Sequence, residues 1–99
     1  MTQTWKTKKL HALAQALLSL KNEKEMMNFL RDVSTLEELD DLSSRWEVAL
    51  LLAKDTPYRN IAKKTGVSTA TITRIAQWLH HGEGGYQAAL HHVNRQEPD

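Results

Sequence analysis

The stretch from Tyr58 to Gln77, YRNIAKKTGVSTATITRIAQ, constrains the fold more than any other part of the chain. It holds two short helical patterns with a glycine between them, and its small residues fall where two helices meeting at a steep angle need them. Ala62 is small where the second helix must cross close to the first, and Gly66 supplies the positive φ that a sharp turn between helices requires. Ile61, Val67, Ile72 and Ile75 are placed to fill the angle between them. This is the pattern of a helix-turn-helix, a device for laying one helix against the base edges of a duplex. Its plainer reading is a structural helix pair.

The start and stop signals around that unit are local. Thr56-Pro57 marks the beginning of a helix, with proline expected at its first position, where no amide hydrogen bond is lost. Ser68 is positioned to cap the next helix by accepting from the N–H of Ala70 or Thr71. On that helix Ile72, Ile75, Ala76 and Leu79 share an inner face, and Ala70, Thr73, Arg74 and Gln77 project the other way. Short, polar side chains near the N-terminal end suit close approach to a major groove.

Charge is distributed accordingly. The overall net charge is only +1, but Met1 to Ala53 carry seven Lys/Arg against eight Asp/Glu, whereas Lys54 to His81 carry five basic residues against Asp55 alone. Positive charge therefore gathers on the unit that would meet phosphates. A solvated lysine face is the alternative.

Upstream, three amphipathic helices are expected. Leu10, Leu13, Ala14, Leu17 and Leu18 form one face of the first. Asn22 and Glu25 open the second as cap and third residue, with Met26, Phe29, Leu30 and Val33 as its stripe. Ser34 or Thr35 caps the third, which should run to about Lys54 with Glu37 and Glu38 in its first turn. Leu36, Leu39, Leu42, Trp46, Ala49, Leu50 and Ala53 lie on one side of it, and Val48, Leu51 and Leu52 on the other. An apolar surface all round implies enclosure by protein. A domain of 99 residues has little with which to enclose it, so a second copy of the chain is expected to do so. Beyond Gly82, Gly84 and Gly85, a last helix from Tyr86 to Val93 packs Tyr86, Ala89, Leu90 and Val93, and Asn94 to Asp99 read as a frayed tail.

The composition excludes several classes. There is no cysteine, hence no disulfide framework and no thiolate site, which suits a reducing cytoplasm. No apolar run approaches the roughly 18 residues of a membrane span, and no secretory signal pattern is seen. His80-His81 and His91-His92 are adjacent pairs whose members diverge by about 100° on a helix, so no metal site is expected. Trp5, Trp46 and Trp78 read as core at helix interfaces and Asp40-Asp41 as a solvated face. No residue stands in a nucleophile setting, so neither catalytic residues nor a cofactor is expected. Lys6, Lys8 and Lys9 read as a mobile segment, with a DNA-reaching arm as the alternative.

These residues, and Thr69 to Arg74 (TATITR) above all, give the chain a resemblance to the Trp repressor superfamily, more closely to its YerC/YecD group of small bacterial proteins. The resemblance runs from about Met26 to Leu79 and takes in Thr35 and Ser44-Arg45. It implies an all-α, intertwined helical homodimer with a helix-turn-helix head in each chain: residues 1–54 as dimerisation core, 56–81 as head and 86–93 as C-terminal helix. The implied function is a sequence-specific DNA-binding transcriptional regulator, a repressor by family, acting on a near-palindromic operator. The DNA-contacting set is then Arg59, Lys63, Lys64, Ser68, Thr69, Ala70, Thr71, Thr73 and Arg74. The family's corepressor lies between two arginines, which match Arg45 and Arg74. Where the repressor has a glycine and a serine nearby, this chain has Ile75 and Trp78. These would fill the wedge, so tryptophan is not expected as corepressor, although an unidentified small-molecule effector at Arg45, Arg74, Ile75 and Trp78 stays open. Arg74 itself reads as a phosphate or base contact, a ligand contact, or a solvent-exposed arginine. The competing class is a helical adaptor that keeps the helix pair as scaffold and binds protein.

Overall fold

The computed structural model describes residues 4–96, and every described element is an α-helix. In order these are α1 (Lys8–Ser19), α2 (Glu23–Val33), α3 (Leu36–Ala53), α4 (Tyr58–Thr65), α5 (Thr69–His81) and α6 (Gly85–Gln96). The chain divides within α3 into two compact units, Met1–Leu39 and Asp40–Asp99.

In the first unit the helix starts are fixed by side chains. Thr7 accepts the Leu10 N–H at 3.1 Å. Asn22 Oδ1 accepts the Glu25 N–H at 2.8 Å, while Glu25 reaches back to the Lys21 N–H at 2.9 Å. Thr35 and Glu38 form a reciprocal pair, Thr35 Oγ1 accepting the Glu38 N–H at 3.1 Å and Glu38 Oε1 the Thr35 N–H at 2.8 Å. Each satisfies amides that a helix start leaves unpaired. The apolar stripes, however, are only partly covered, with Leu17, Met26, Phe29 and Leu30 half-buried. Neither α1 nor α2 contains a buried residue, and Leu18, Met27 and Val33 are 85%, 62% and 54% exposed.

The second unit has a core. Val48 and Ala49 of α3, Ile61 of α4, and Ile72 and Ile75 of α5 are fully buried. Trp46, Leu51, Leu52, Ala62, Val67 and Tyr86 pack against them. The side of α3 formed by Val48, Leu51 and Leu52 thus packs with this chain's own α4 and α5, and the enclosure expected from a second chain concerns what they leave uncovered. What stays bare on α3 is its N-terminal half, where Leu36 and Leu42 are 65% and 54% exposed.

α3 ends in a Schellman motif. Asp55 adopts φ 59°, the Thr56 N–H donates to the Leu51 carbonyl at 3.1 Å, and the Asp55 N–H donates to the Leu52 carbonyl at 3.0 Å. Pro57 sits one place earlier than expected, extended at φ −60°, ψ 144° as the cap rather than as the first helical residue. At the other end of α4, Gly66 is left-handed at φ 75° and its N–H bonds the Ala62 carbonyl at 2.9 Å. The Thr65 hydroxyl donates to the Ile61 carbonyl at 2.8 Å and accepts the Val67 N–H at 3.1 Å, stitching the turn from within.

α5 closes on Gly82, whose N–H bonds the Trp78 carbonyl at 2.9 Å. α6 is tied to α5 by the Gln87 amide, which donates to the Leu79 carbonyl at 2.8 Å, and by Leu90, which is buried. α6 extends through Asn94 to Gln96, past the Val93 end expected, so the first part of the expected tail is helical; Glu97 to Asp99 lie outside the described residues.

Candidate nucleic-acid interface

Ser68 builds the start of α5. Its Oγ accepts the Thr71 N–H at 3.2 Å and lies 3.1 Å from the Thr71 hydroxyl, to which it donates. Thr69, Ala70, Thr73, Arg74 and Gln77 are exposed, and Ile72, Ile75, Ala76 and Leu79 are buried on the opposite side. The helix thus presents a short, polar surface along its first two turns because its branched apolar residues occupy the core side.

The expected contact residues do not all stand alike. Arg59, Lys63 and Lys64 are exposed on α4, where Lys63 and Lys64 also lie in the last turn, favourable for cations at a helix C-terminus. Thr71 is half-buried and engaged with Ser68, so it helps set the cap rather than standing free. The Thr73 hydroxyl donates to the Thr69 carbonyl at 2.9 Å, so its proton is committed and its oxygen is left only to accept. Gln77 was not in the expected contact set, although its spacing of seven from Ala70 and four from Thr73 put it on the same face. Its amide makes no hydrogen bond among the described residues.

Of the four residues considered for an effector, the structure brings Arg45 and Trp78 together: the guanidinium carbon lies 5.4 Å from the indole centroid. Ile75 is fully buried in the core cluster, and Arg74 is exposed. Two clefts flank this region. A polar one of about 380 Å³ lies between Asp40, Asp41, Ser44 and Arg45 of α3 and the Thr65–Ser68 turn. An open, aromatic one of about 660 Å³ is lined by Trp46, Trp78 and Tyr86 with His81, Glu83 and Ala89. Trp46 is half-buried, but Trp78 and Trp5 are 44% and 48% exposed, so two of the three tryptophans expected as core are not. The Tyr86 hydroxyl titrates above the ordinary tyrosine value, because burial disfavours the phenolate more than the nearby Arg45 charge favours it.

Lys8 and Lys9 belong to α1, and the Lys6 ammonium lies 5.3 Å from the Trp5 ring, so only Lys6 precedes the helix. The paired histidine rings are 6.3 Å apart at His80-His81 and 5.5 Å at His91-His92. No three His, Asp or Glu among the described residues converge as a metal site would require. No described helix is long and apolar enough to cross a membrane.

Residues 8–94 match the family model of the Trp repressor protein, well beyond the Met26–Leu79 stretch that carries the resemblance. The chain is 38% identical over 92 residues to the uncharacterized protein YerC of Bacillus subtilis (strain 168), covering 93% of this chain and 88% of that one. The crystal structure of a TrpR-like protein from Eubacterium eligens ATCC 27750 superposes with a TM-score of 0.87 at 40% identity, covering 98% of this chain and all of the other. A crystal structure from Staphylococcus aureus, provisionally designated a Trp repressor, gives a TM-score of 0.86 at 31% identity over 99% of this chain and 100% of its own.

Proposed function

The chain belongs to the Trp repressor family, and on that footing we propose that it is a sequence-specific DNA-binding transcriptional regulator, a repressor that works as a homodimer and without tryptophan as corepressor. The observation that carries this reading is the outer face of α5. A Ser68-capped helix offers Thr69, Ala70, Thr73 and Arg74 to solvent, with Arg59, Lys63 and Lys64 exposed on the neighbouring α4. In this reading the threonines and Ala70 approach base edges and the cations neutralise phosphates. The short side chains give limited direct readout; the Trp repressor–operator complex is itself the standard example of water-carried base contacts, and DNA shape and water would contribute here too.

Dimerisation is supported by the apolar side chains left uncovered, Leu18, Met27 and Val33 being 85%, 62% and 54% exposed. The exposed stripes of α1 and α2, with Leu36 and Leu42, are the apolar surface available for it. A two-fold axis would set two α5 helices on half-sites about one turn, roughly 34 Å, apart. Sedimentation equilibrium should return twice the chain mass, and Leu13→Glu with Val33→Glu should lower it to one chain. A wild-type monomer at micromolar concentration would refute the dimer.

The same reading places no role on tryptophan, since Ile75 is packed into the core and Trp78 already lies against Arg45. Titration calorimetry should show no saturable micromolar binding. The reading as a whole is tested by fluorescence anisotropy with duplex DNA across a salt series. Arg59→Ala or Lys63→Ala should each weaken binding to every sequence and reduce the log–log salt slope by about one. Unchanged slopes in both would move the DNA surface elsewhere, and no anisotropy change at low salt would favour the adaptor.

A further inference from the structure

Arg45 of α3 and Trp78 of α5 come together at one edge of the second unit. The guanidinium sits over the indole at 5.4 Å, and Trp78 also lines the aromatic cleft with Tyr86 of α6. Trp78 stands four residues after Arg74 and one after Gln77, at the border between the buried side of α5 and its outer face.

Close packing of Ile72, Ile75, Ala76 and Leu79 holds α5 against the core and sets most of its rotation, but it acts on the buried side of the helix only. A cation on the face of an indole is directional, because the ring quadrupole favours the position above its centre. Rotation of α5 by about 20° would move side-chain ends at a radius of about 5–6 Å by roughly 2 Å, enough to lose a base-edge hydrogen bond. A contact that fixes the indole thus fixes where Thr73, Arg74 and Gln77 point.

We propose that Arg45 is a positioning residue: by stacking on Trp78 it locks the rotational setting of α5, so that the DNA-reading face is held by the chain's own indole rather than by a bound effector. The proposal rests on the regulator reading and specifies how that surface is regulated, namely constitutively. Arg45 touches no base or phosphate in it.

The test uses the full-length protein, a duplex selected by it from a random pool, and an unrelated duplex of equal length. Arg45 and Trp78 are both exposed, so Arg45→Met and Trp78→Leu should each weaken binding to the selected duplex about 2- to 5-fold, the range that an exposed cation–π contact of about 0.5–1 kcal/mol implies. The salt slope should stay at the wild-type value, and Arg45→Lys and Trp78→Phe, which keep a cation and a ring, should recover most of the loss. A merely structural lesion would lower binding to both duplexes alike, and the conservative pair would not restore the ratio between them. A slope reduced by about one in Arg45→Met would make Arg45 a phosphate contact and overturn the proposal, as would unchanged affinity for the selected duplex. Should the wild type select no duplex, the regulator reading fails by itself. The stack is then read by the Trp78 indole N–H resonance, which must shift in Arg45→Met and not in Arg31→Met, and an unmoved resonance rejects it.

Discussion

Replacing Gly66 separates two reasons for a glycine that are usually entangled. Its φ is 75°, and a Cβ built on it meets nothing within 4 Å, so alanine would find room but not a comfortable backbone. Holding an L-residue left-handed costs roughly 1–2 kcal/mol, and the loss of glycine's freedom in the unfolded chain returns about 0.4–1 kcal/mol. Gly66→Ala should therefore destabilise by about 0.5–1.5 kcal/mol, and Gly66→Asn by less, since asparagine tolerates this region. For a domain of this size 1 kcal/mol moves the melting temperature by about 4–8 °C. Gly82 is the contrast. Its φ of −83° is ordinary, but a Cβ would stand 2.4 Å from the Trp78 carbonyl oxygen, so Gly82→Ala must displace backbone. Differential scanning calorimetry at one fixed protein concentration, necessary if the unfolding unit is a dimer, would measure all three. An unchanged melting temperature in Gly66→Ala, or a larger loss for asparagine than for alanine, would refute the reasoning.

Two further outcomes follow from single residues. Asp55 holds the left-handed position that ends α3 at φ 59°, where glycine pays no steric penalty; Asp55→Gly should raise stability by up to about 1 kcal/mol in a chemical melt, and destabilisation would show that its side chain is needed there. Tyr86 has a raised folded-state pKa, so its stabilising contribution is fully present below the unfolded tyrosine value and is lost as pH rises through the folded one; wild-type stability should fall in that alkaline window more steeply than that of Tyr86→Phe, and parallel curves would contradict it.

The elements were legible in the sequence where their causes are local. Asn22, Thr35 and Ser68 announce helix starts because a cap is a bond between residues three apart. Gly66 announces the turn because few other residues accept its φ. Pro57 was misplaced by one because its fixed φ suits both a cap and a first helical residue, and only ψ distinguishes them. The end of α6 was set too early because the apolar stripe stops at Val93, whereas backbone hydrogen bonding needs no apolar partner to continue. α3 shows the deeper limit. Its all-round apolar character revealed that Val48 and Leu52 would be covered, but one-dimensional pattern cannot tell whether the cover is the chain's own α4 and α5. The exposed face was clear from the spacing of Ala70, Thr73, Arg74 and Gln77. That Thr71 and Thr73 direct their hydroxyls to Ser68 and Thr69 depends on rotamers, which spacing does not determine.

The packing of α4 on α5, and of α5 on α6, joins helices that are consecutive in the chain. Little loop entropy must be surrendered before such contacts form, so this body belongs with the low-contact-order proteins that fold in roughly microseconds to milliseconds. On the dimer proposed above, a slower, concentration-dependent phase in refolding would report the meeting of two chains and not the making of these local contacts.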